Sequence, residues 1–352
     1  MQAILGVIFH FIGGFASGSF YIPFKRVKNW AWESYWIVGG LFSWLIVPFL
    51  AAWITVPHFM AIIGETDATT IFWTYFMGVL WGIGGLTFGL AMRYLGMSLG
   101  MSVALGYTSA FGSLIPPIYR DLFTTETTGT FTAMLHSNSG QMVLIGVVVC
   151  LLGIAICGAA GVLKERELSD DQKKESISEF NLKKGLIVAT VSGILSACFN
   201  FGIEAGKPMA AVAIEKGANP LFQNNVIFVV LLWGGLTTNL FWCLLLNIRN
   251  KSFGDYRNKN TPLVNNYFFA ALAGTTWFFQ FFFYGMGESK LGNGASSWIL
   301  HMAFIIMISS LWGIVLHEWK GVSKKTFGTI LAGVLTIMIS VLLVGYGNSL
   351  ND

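Results

Sequence analysis

Side chains that could carry a proton are scarce in this chain, and they lie in or at the ends of long apolar stretches. Glu33 stands in the run NWAWESYW, Glu204 and Glu288 stand at the ends of apolar segments, and His301 stands in SSWILHMAF. Desolvating an ionisable group at membrane depth is costly unless it has a partner or a water-filled cavity. Glu33, His301 and Glu204 are therefore predicted candidates for a reversible proton site.

Each of these residues also has a structural interpretation. An alternative role for Glu33 is that of an interfacial acid which pairs with Lys25 or Lys28 and complements the positive end of a helix. An alternative role for His301 is packing, against a functional role as a proton relay or a ligand of a sugar hydroxyl. The sequence leaves both pairs of alternatives open.

A second group of residues has the types and spacing of a sugar-binding site. In WFFQFFFY, Gln280 and Tyr284 are four residues apart, and Trp277 lies about one turn before Gln280, so all three share one stripe of a helix. Sugar C–H faces stack on aromatic rings, while sugar hydroxyls need fixed donors and acceptors. The stripe predicts a pyranose site, and packing between helices is the alternative.

The composition limits the class of protein that carries these residues. Of 352 residues, 55% are hydrophobic and 11% are charged, whereas soluble domains carry roughly 25% charge. The bilayer must therefore serve as solvent, and membrane lipid is an expected partner. A net charge of +4 without a basic domain argues against nucleic-acid binding. No P-loop or HExxH spacing occurs, so we expect no enzyme, no metal and no cofactor.

The apolar stretches predict an all-α integral membrane protein with ten transmembrane helices. Each stretch has about 20 residues, the length that crosses about 30 Å of hydrocarbon. The predicted spans are 3–22, 34–55, 71–94, 98–119, 141–163, 185–204, 222–247, 266–286, 297–316 and 326–346. A polar segment, 164–184, divides them five and five. The predicted domains are thus 1–163, a cytoplasmic linker at 164–184, and 185–352.

The basic residues predict the orientation. Of the 21 Lys and Arg residues, 17 lie in the loops that follow odd-numbered spans. The others are Arg120, Lys207, Lys216 and Lys290. Cytoplasmic loops carry the excess of basic residues. We therefore expect the odd loops, including the linker, in the cytoplasm and both termini in the periplasm.

Two weak internal matches predict that the halves are repeats. An offset of 179 aligns 14–21 with 193–200 and pairs Tyr21 with Asn200, and an offset of 196 pairs Trp81 with Trp277. Because each half has five spans, the second half enters the membrane in the opposite sense, as in the inverted repeats of secondary transporters. Tyr21, Trp81 and Asn200 are therefore added to the candidate substrate-binding residues.

Several longer strings carry a family resemblance. They are FYIPFKRVKNWAWESYWIVGGLFSW (20–44), LWGIGGLTFGLAMRYLGMSLG (80–100), LKERE followed by EFNLKKGL, WFFQFFFYGMG and SWILHM. In these strings the chain resembles the bacterial L-rhamnose/proton symporter family of the drug/metabolite transporter superfamily. The stretch 285–296, GMGESKLGNGAS, departs from that family pattern.

The resemblance implies a ten-helix inverted-repeat fold in the bacterial inner membrane and proton-driven import of L-rhamnose or a related deoxysugar by alternating access. It also implies functional roles for the region of Lys25 and Glu33 and for Trp277, Gln280, Tyr284, Trp298 and His301. The alternative is an exporter or uniporter of another small metabolite, since one fold hosts many substrates.

Overall fold

The structure, a computed structural model, describes residues 2–123, 130–169, 177, 179–291 and 294–350, and over these ranges it is helical with no strand. The α-helices are α1 (Gln2–Ser19), α2 (Tyr21–Phe24), α3 (Trp32–Leu41), α4 (Val47–Thr55), α5 (Phe59–Glu65), α6 (Ala68–Leu95), α7 (Met97–Phe123), α8 (Phe131–His136), α9 (Asn138–Glu167), α10 (Leu182–Ser196), α11 (Cys198–Glu215), α12 (Asn225–Asn250), α13 (Leu263–Leu291), α14 (Gly294–Val315) and α15 (Lys324–Ser349). A π-helical turn, Phe42–Ile46, joins α3 to α4, and 3₁₀ turns span Pro220–Phe222 and Ser252–Arg257.

Within the described residues, eight helical segments are long and apolar enough to cross a membrane. They are Ile4–Phe24, Trp32–Thr55, Ala68–Leu95, Ser98–Leu122, Asn138–Lys164, Leu182–Glu215, Pro220–Asn250 and Lys324–Gly347. These segments match the predicted spans one to seven and ten. Helices α13 and α14 occupy the places of predicted spans eight and nine but lie outside this set, and the apolar part of α14 is Leu300–Val315.

The chain forms two compact units, and each contains segments from both halves of the sequence. The first unit comprises Met1–Gly85 and Cys198–Lys290, and the second comprises Leu86–Ala197 and Leu291–Asp352. This spatial grouping is a different division from the predicted repeats at 1–163 and 185–352, which remain a prediction.

Close backbone contact joins the two segments of the first unit. A side chain at Gly78 of α6 would meet the backbone oxygen of Leu231, and one at Gly234 of α12 would meet the backbone oxygen of Tyr75. Small residues at such positions let helix backbones approach closely. The contact sets the position of α6, which carries Trp81, relative to α12.

In the second unit, α9 packs along α15 in the antiparallel direction. Gly153 of α9 lies against Gly333 and Ile337, whereas Gly146 lies against Ser340 and Val344, further along α15. Near the end of α9, the Lys164 ammonium is buried over the rings of Phe180, at 5.3 Å, and Trp319, at 4.9 Å. The contact of Lys164 with Phe180 holds the end of α9 next to the start of α10.

The predicted linker 164–184 is helical at both of its ends. Helix α9 continues to Glu167, and α10 begins at Leu182, where the Asn181 side chain accepts a hydrogen bond from the backbone N–H of Lys184. Residues 170–176 and 178 lie outside the described residues, as do 292 and 293 of the divergent stretch 285–296.

Candidate functional site

Helix α13 presents the predicted stripe of Trp277, Gln280 and Tyr284 to the interior of the first unit. Gln280 and Tyr284 are buried, and Trp277 is half-buried. Phe279, on another face of the same helix, is exposed. The stripe therefore faces other helices, as its spacing predicts.

Three indole rings form one aromatic group, here called the tryptophan triad, of Trp44, Trp81 and Trp277. The ring centroids of Trp81 and Trp277 are 5.4 Å apart, and the Trp44 ring stands edge-on to both, at 6.3 Å and 6.1 Å respectively. The two repeat-paired residues, Trp81 and Trp277, are thus in contact. The rings of the triad come from three different parts of the chain.

Trp44 is a member of the triad that the sequence analysis did not name. It lies in the π-helical turn Phe42–Ile46, and the hydroxyl of Ser43 in the same turn donates to the carbonyl oxygens of Gly39 and Gly274, both at 3.0 Å. Its ring packs on Gly40, where a Cβ would lie 2.2 Å from a ring carbon. Single π turns in helices are frequently found at functional sites.

Two phenylalanines extend the aromatic surface beyond the triad. The ring of Phe199 stacks on that of Phe281 at 3.9 Å and lies 5.2 Å from the Trp81 ring, and the Phe281 ring lies 5.1 Å from the Trp277 ring. Asn200 follows Phe199 in α11 and is half-buried. Phe199 and Phe281 therefore extend the aromatic surface around the predicted residues Trp81 of α6 and Trp277 of α13, and Asn200 is the next residue of α11.

Two hydrogen-bond donors of this region have no partner among the described residues. They are the indole N–H of Trp44 and the amide Nε2 of Gln280, and both atoms are buried. A buried donor left without a hydrogen bond costs about 1–3 kcal/mol. A ligand that carries hydroxyl acceptors would satisfy both groups while stacking on the aromatic rings.

Glu33 lies in the first turn of α3 and is buried within a set of neutral donors, here called the Glu33 cluster. Its Oε1 accepts hydrogen bonds from Asn250 Nδ2 at 3.0 Å and from the Ser252 hydroxyl at 2.6 Å. The Ser252 hydroxyl also lies 3.1 Å from Asn247 Oδ1. The donors come from the end of α12 and the turn after it, whereas the side chains of Lys25 and Lys28, the predicted alternative partners, are exposed.

A second carboxylate holds the start of α3 in place. Asp255 Oδ2 accepts hydrogen bonds from the Ala31 backbone N–H at 2.8 Å and from the Ser34 hydroxyl at 2.7 Å. Burial raises the pKa of the neighbouring Tyr256, so its phenol stays protonated at neutral pH. The loop after α12 therefore positions Glu33 through several independent contacts.

Aromatic rings extend from the tryptophan triad toward the start of α3, where Glu33 lies. The Trp36 ring stacks on that of Trp32 at 5.0 Å and lies 6.2 Å from the ring of Trp44. The Trp36 indole N–H donates to Asn239 Oδ1 at 2.9 Å, which fixes the ring. Tyr21 joins the same group at its side, through Phe24, whose ring is 5.8 Å from Tyr21 and 6.0 Å from Trp36.

At the other end of the stripe, α13 meets a histidine that the sequence analysis missed. The His10 ring is completely buried and lies 5.5 Å from the ring of Tyr284, and a Cβ on Gly287 would lie 2.6 Å from its Nε2. Glu288, on the same turn of α13, accepts a hydrogen bond from Asn224 Nδ2 at 2.7 Å. We call His10, Tyr284, Gly287, Glu288 and Asn224 the His10 cluster. The signal in the sequence was a lone histidine within an apolar helix.

Two predicted proton candidates have different surroundings from Glu33. Glu204 is half-exposed on α11 and forms an ion pair with Lys207, three residues on, at 2.6 Å. His301 and the predicted ligand Trp298 are buried in α14 of the second unit, where Trp298 lies beside Gly112 of α7. The first unit thus brings together Tyr21, Trp81, Asn200, Trp277, Gln280 and Tyr284, while Trp298 and His301 belong to the second.

Comparison with known proteins decides the family. Residues 1–350 match the family model described as L-rhamnose-proton symport protein (RhaT). The chain belongs to this family. Proteins named L-rhamnose-proton symporter from Yersinia pestis (strain Pestoides F) and Yersinia pseudotuberculosis serotype O:1b (strain IP 31758) are each 39% identical over 349 residues, which are 98% of both chains compared. One from Pectobacterium carotovorum subsp. carotovorum (strain PC1) is 38% identical over the same share.

The match confirms the family resemblance seen in the sequence. Together with the eight apolar helices, it makes the chain a multi-pass membrane protein of the L-rhamnose-proton symport protein family. Members of this family are named as transporters and not as enzymes.

Proposed function

We propose that this protein imports L-rhamnose, or a related deoxysugar, in symport with protons by alternating access. The observation that carries the proposal is the family match over residues 1–350. The tryptophan triad with the donors of Trp44 and Gln280 supports it, because stacked rings beside fixed donors suit a pyranose. The protein is a transporter and not an enzyme, and the coupling ion supplies the energy.

The proposed sugar-binding residues are those that share the aromatic surface of the first unit, with Trp44 added to them. Trp277 and Trp81 supply ring faces, and Gln280 and Trp44 supply donors to sugar hydroxyls. Tyr284 continues the stripe along α13. Asn200 and Tyr21 remain proposed ligands from the repeat alignment, and Trp298 and His301 remain proposed ligands from the family resemblance.

Glu33 is the proposed proton-coupling residue, with His301 and Glu204 as further predicted candidates. A neutral sugar brings no charge, so coupling needs a protein group whose proton affinity changes as the cavity switches sides. Glu33 is buried, and the donors of Asn250 and Ser252 are placed to hold its carboxylate after the proton leaves. Trp36, three residues after Glu33 in α3, contacts Trp44 of the tryptophan triad.

The proposed architecture has ten spans in two inverted five-helix repeats, as in the drug/metabolite transporter superfamily. Helices α13 and α14 supply spans eight and nine. The contact between Trp81 and Trp277 supports the repeat, because equivalent residues of two inverted repeats meet where they lie close to the symmetry axis. The proposed location is the bacterial inner membrane, with both termini in the periplasm and 164–184 in the cytoplasm.

Proton-coupled import is tested by sugar-dependent alkalinisation of a lightly buffered medium around cells, or around right-side-out membrane vesicles, that contain the protein. One proton per sugar supplies about 2.3 kcal/mol per 100 mV of membrane potential and about 1.4 kcal/mol per pH unit. We expect L-rhamnose to raise the external pH and to accumulate at least tenfold, and a proton uncoupler to abolish both effects. Rhamnose entry that equilibrates without a pH change would instead support a uniporter.

The orientation is tested by a single cysteine at position 175 in a variant with the four native cysteines replaced. An impermeant thiol reagent should label this residue only after the cells are opened. Labelling in intact cells would overturn the proposed topology.

A further inference from the structure

The His10 cluster contains a titratable side chain, His10, that neither the sequence analysis nor the family name accounts for. His10 and Tyr284 are each 0% exposed, and their rings are 5.5 Å apart. A fully buried imidazole in a membrane helix is costly to charge unless neighbouring groups stabilise the charge. Such a residue is functional by default, and its surroundings show what it could bind.

The backbone of α13 is shaped to admit the imidazole. A Cβ on Gly287 would lie 2.6–2.8 Å from three atoms of the His10 ring, so a larger residue at this position would displace the histidine. The rings of Phe9 and Phe283, 6.4 Å apart, form a second contact between α1 and α13. The position of His10 is therefore defined on both helices.

Charged groups of two helices surround this histidine's neighbours. From α13 come Tyr284 and Glu288, which interact electrostatically with each other. From α11 come Glu204 and Lys207, which act on Glu288 with opposite signs. Glu288 follows Gly287, the residue whose Cα faces the His10 ring, so it is the carboxylate of α13 next in sequence to the contact with the imidazole.

Tyr284 connects the His10 cluster to the proposed sugar site. It contacts His10, and it belongs to the same stripe of α13 as Gln280 and Trp277, one turn and two turns away. A ligand that contacts Tyr284 would change the surroundings of His10. By thermodynamic linkage, protonation of His10 would then change the affinity for that ligand by the same factor.

We propose that His10 is a second proton-binding group of the symporter, which takes up its proton when sugar binds beside Tyr284. This inference rests on the proposed function. It assigns uptake of the proton to His10, with Glu288 as the carboxylate that stabilises the imidazolium, and release of the proton to Glu33. On uptake the proton moves from water to an imidazole nitrogen of His10. On release it passes through water in the transport cavity from the imidazolium to the Glu33 carboxylate, and from there to water outside the cavity, and no covalent bond to the sugar is made or broken.

The test is the number of protons taken up when L-rhamnose binds to the purified protein in weak buffer, measured with a pH indicator between about pH 5.5 and 8, where histidine titrates. Calorimetry gives the sugar affinity over the same range. We expect the wild type to take up protons and to lose affinity as the pH rises. His10→Gln should bind sugar, take up less than half as many protons, and show a flattened pH profile. His136→Gln, at an exposed histidine, is the matched control and should behave as the wild type.

A second variant keeps the inference testable if His10→Gln does not fold. Glu288→Gln leaves the imidazole in place but removes the stabilising carboxylate, so the midpoint of the affinity profile should shift to lower pH by about one unit. An unchanged midpoint would overturn the role of Glu288 and His10. Wild-type proton uptake in His10→Gln would do the same.

The outcome also separates this inference from the proposed function. If the wild type binds L-rhamnose without taking up protons, symport itself is wrong, and His10 has no sugar-linked proton to carry. If the wild type takes up protons and His10→Gln takes up as many, symport stands and the assignment to His10 is wrong.

Discussion

Glu33 and Glu288 are two carboxylates of the first unit with contrasting environments: Glu33 is buried, whereas Glu288 is half-buried. Glu33 is held by neutral donors, Asn250 and Ser252, from one connected stretch of chain. Glu288 has an amide partner, Asn224, and titratable or charged neighbours on α11 and α13, namely Glu204, Lys207 and Tyr284. Fixed donors suit a group that returns to one charge state, whereas a set of titratable neighbours suits a group whose proton number varies. The difference suggests that proton release and proton uptake have separate places.

Replacing Glu33 gives the largest expected effect and tests one side of this comparison. Glu33→Gln mimics the protonated state permanently, so sugar accumulation should fall to equilibration, a loss of more than tenfold. Exchange of labelled for unlabelled sugar should continue, because it needs no net proton movement. The measurement compares net sugar uptake with counterflow exchange in the same vesicles. The matched control is Glu215→Gln, at an exposed glutamate.

The two variants also separate the two clusters. The sugar affinity of Glu33→Gln should still depend on pH through His10, whereas that of His10→Gln should not. The opposite pattern would reverse the assigned roles. A Glu33→Gln protein that still concentrates sugar would leave Glu33 as an interfacial charge and direct attention to His301 and Glu204.

Removing the Gln280 amide is expected to have the next largest effect. Gln280→Ala should weaken sugar binding by about 1–3 kcal/mol, because sugar hydroxyls lose a buried partner. Trp277→Ala should weaken it by a similar amount through lost stacking. Calorimetry checks both variants, and Trp53→Ala, at a tryptophan that is 67% exposed, should leave affinity unchanged. If both site variants keep wild-type affinity while folded, the sugar site lies elsewhere.

Trp44→Phe tests the contribution of a single indole N–H. The ring and its contacts with Trp81 and Trp277 are largely kept, while the donor is removed. We expect a loss of about 1 kcal/mol in sugar affinity, without a change in the pH profile. A wild-type affinity would show that the Trp44 indole donates no hydrogen bond to the sugar.

The smallest expected effect concerns the support of Glu33. Asp255→Ala removes the acceptor for Ala31 N–H and the Ser34 hydroxyl at the start of α3, which should cost about 1 kcal/mol of stability, as for other helix caps. Thermal unfolding measures this loss. Accumulation should decline only modestly, and the sugar affinity should stay as in the wild type. A loss of accumulation as complete as in Glu33→Gln would show that Asp255 itself takes part in proton release.

The sequence predicted the parts of the site that depend on local helical spacing. Trp277, Gln280 and Tyr284 lie on one buried stripe because residues three, four and seven apart share a helix face. The helical segments follow from the lengths of the apolar stretches, because about 20 helical residues cross the hydrocarbon of a bilayer. Helix α11 differs, since it continues to Glu215, well beyond the predicted end of the sixth span at 204.

The rest depends on contacts between distant parts of the chain. The place of Trp44 follows from a π-helical turn, which shifts the helical register by one residue, or about 100°. His10 gains its surroundings from Gly287, and Glu33 from Asn250 and Ser252, all far along the chain. Apolar periodicity carries no information about such partners.

The composition of the two units has a consequence for how the protein is made. Residues 2–85 leave the ribosome well before 198–290, the segment with which they form the first unit, and the interval is roughly ten seconds at ordinary elongation rates. During that time the surface of α6 at Gly78 lacks its contact with Leu231 and faces lipid. Glu33 lacks its hydrogen bonds from Asn250 and Ser252. The nascent first half must therefore persist in the bilayer without its partner helices. Its Glu33 side chain gains the hydrogen bonds from Asn250 and Ser252 only after α12 has been inserted.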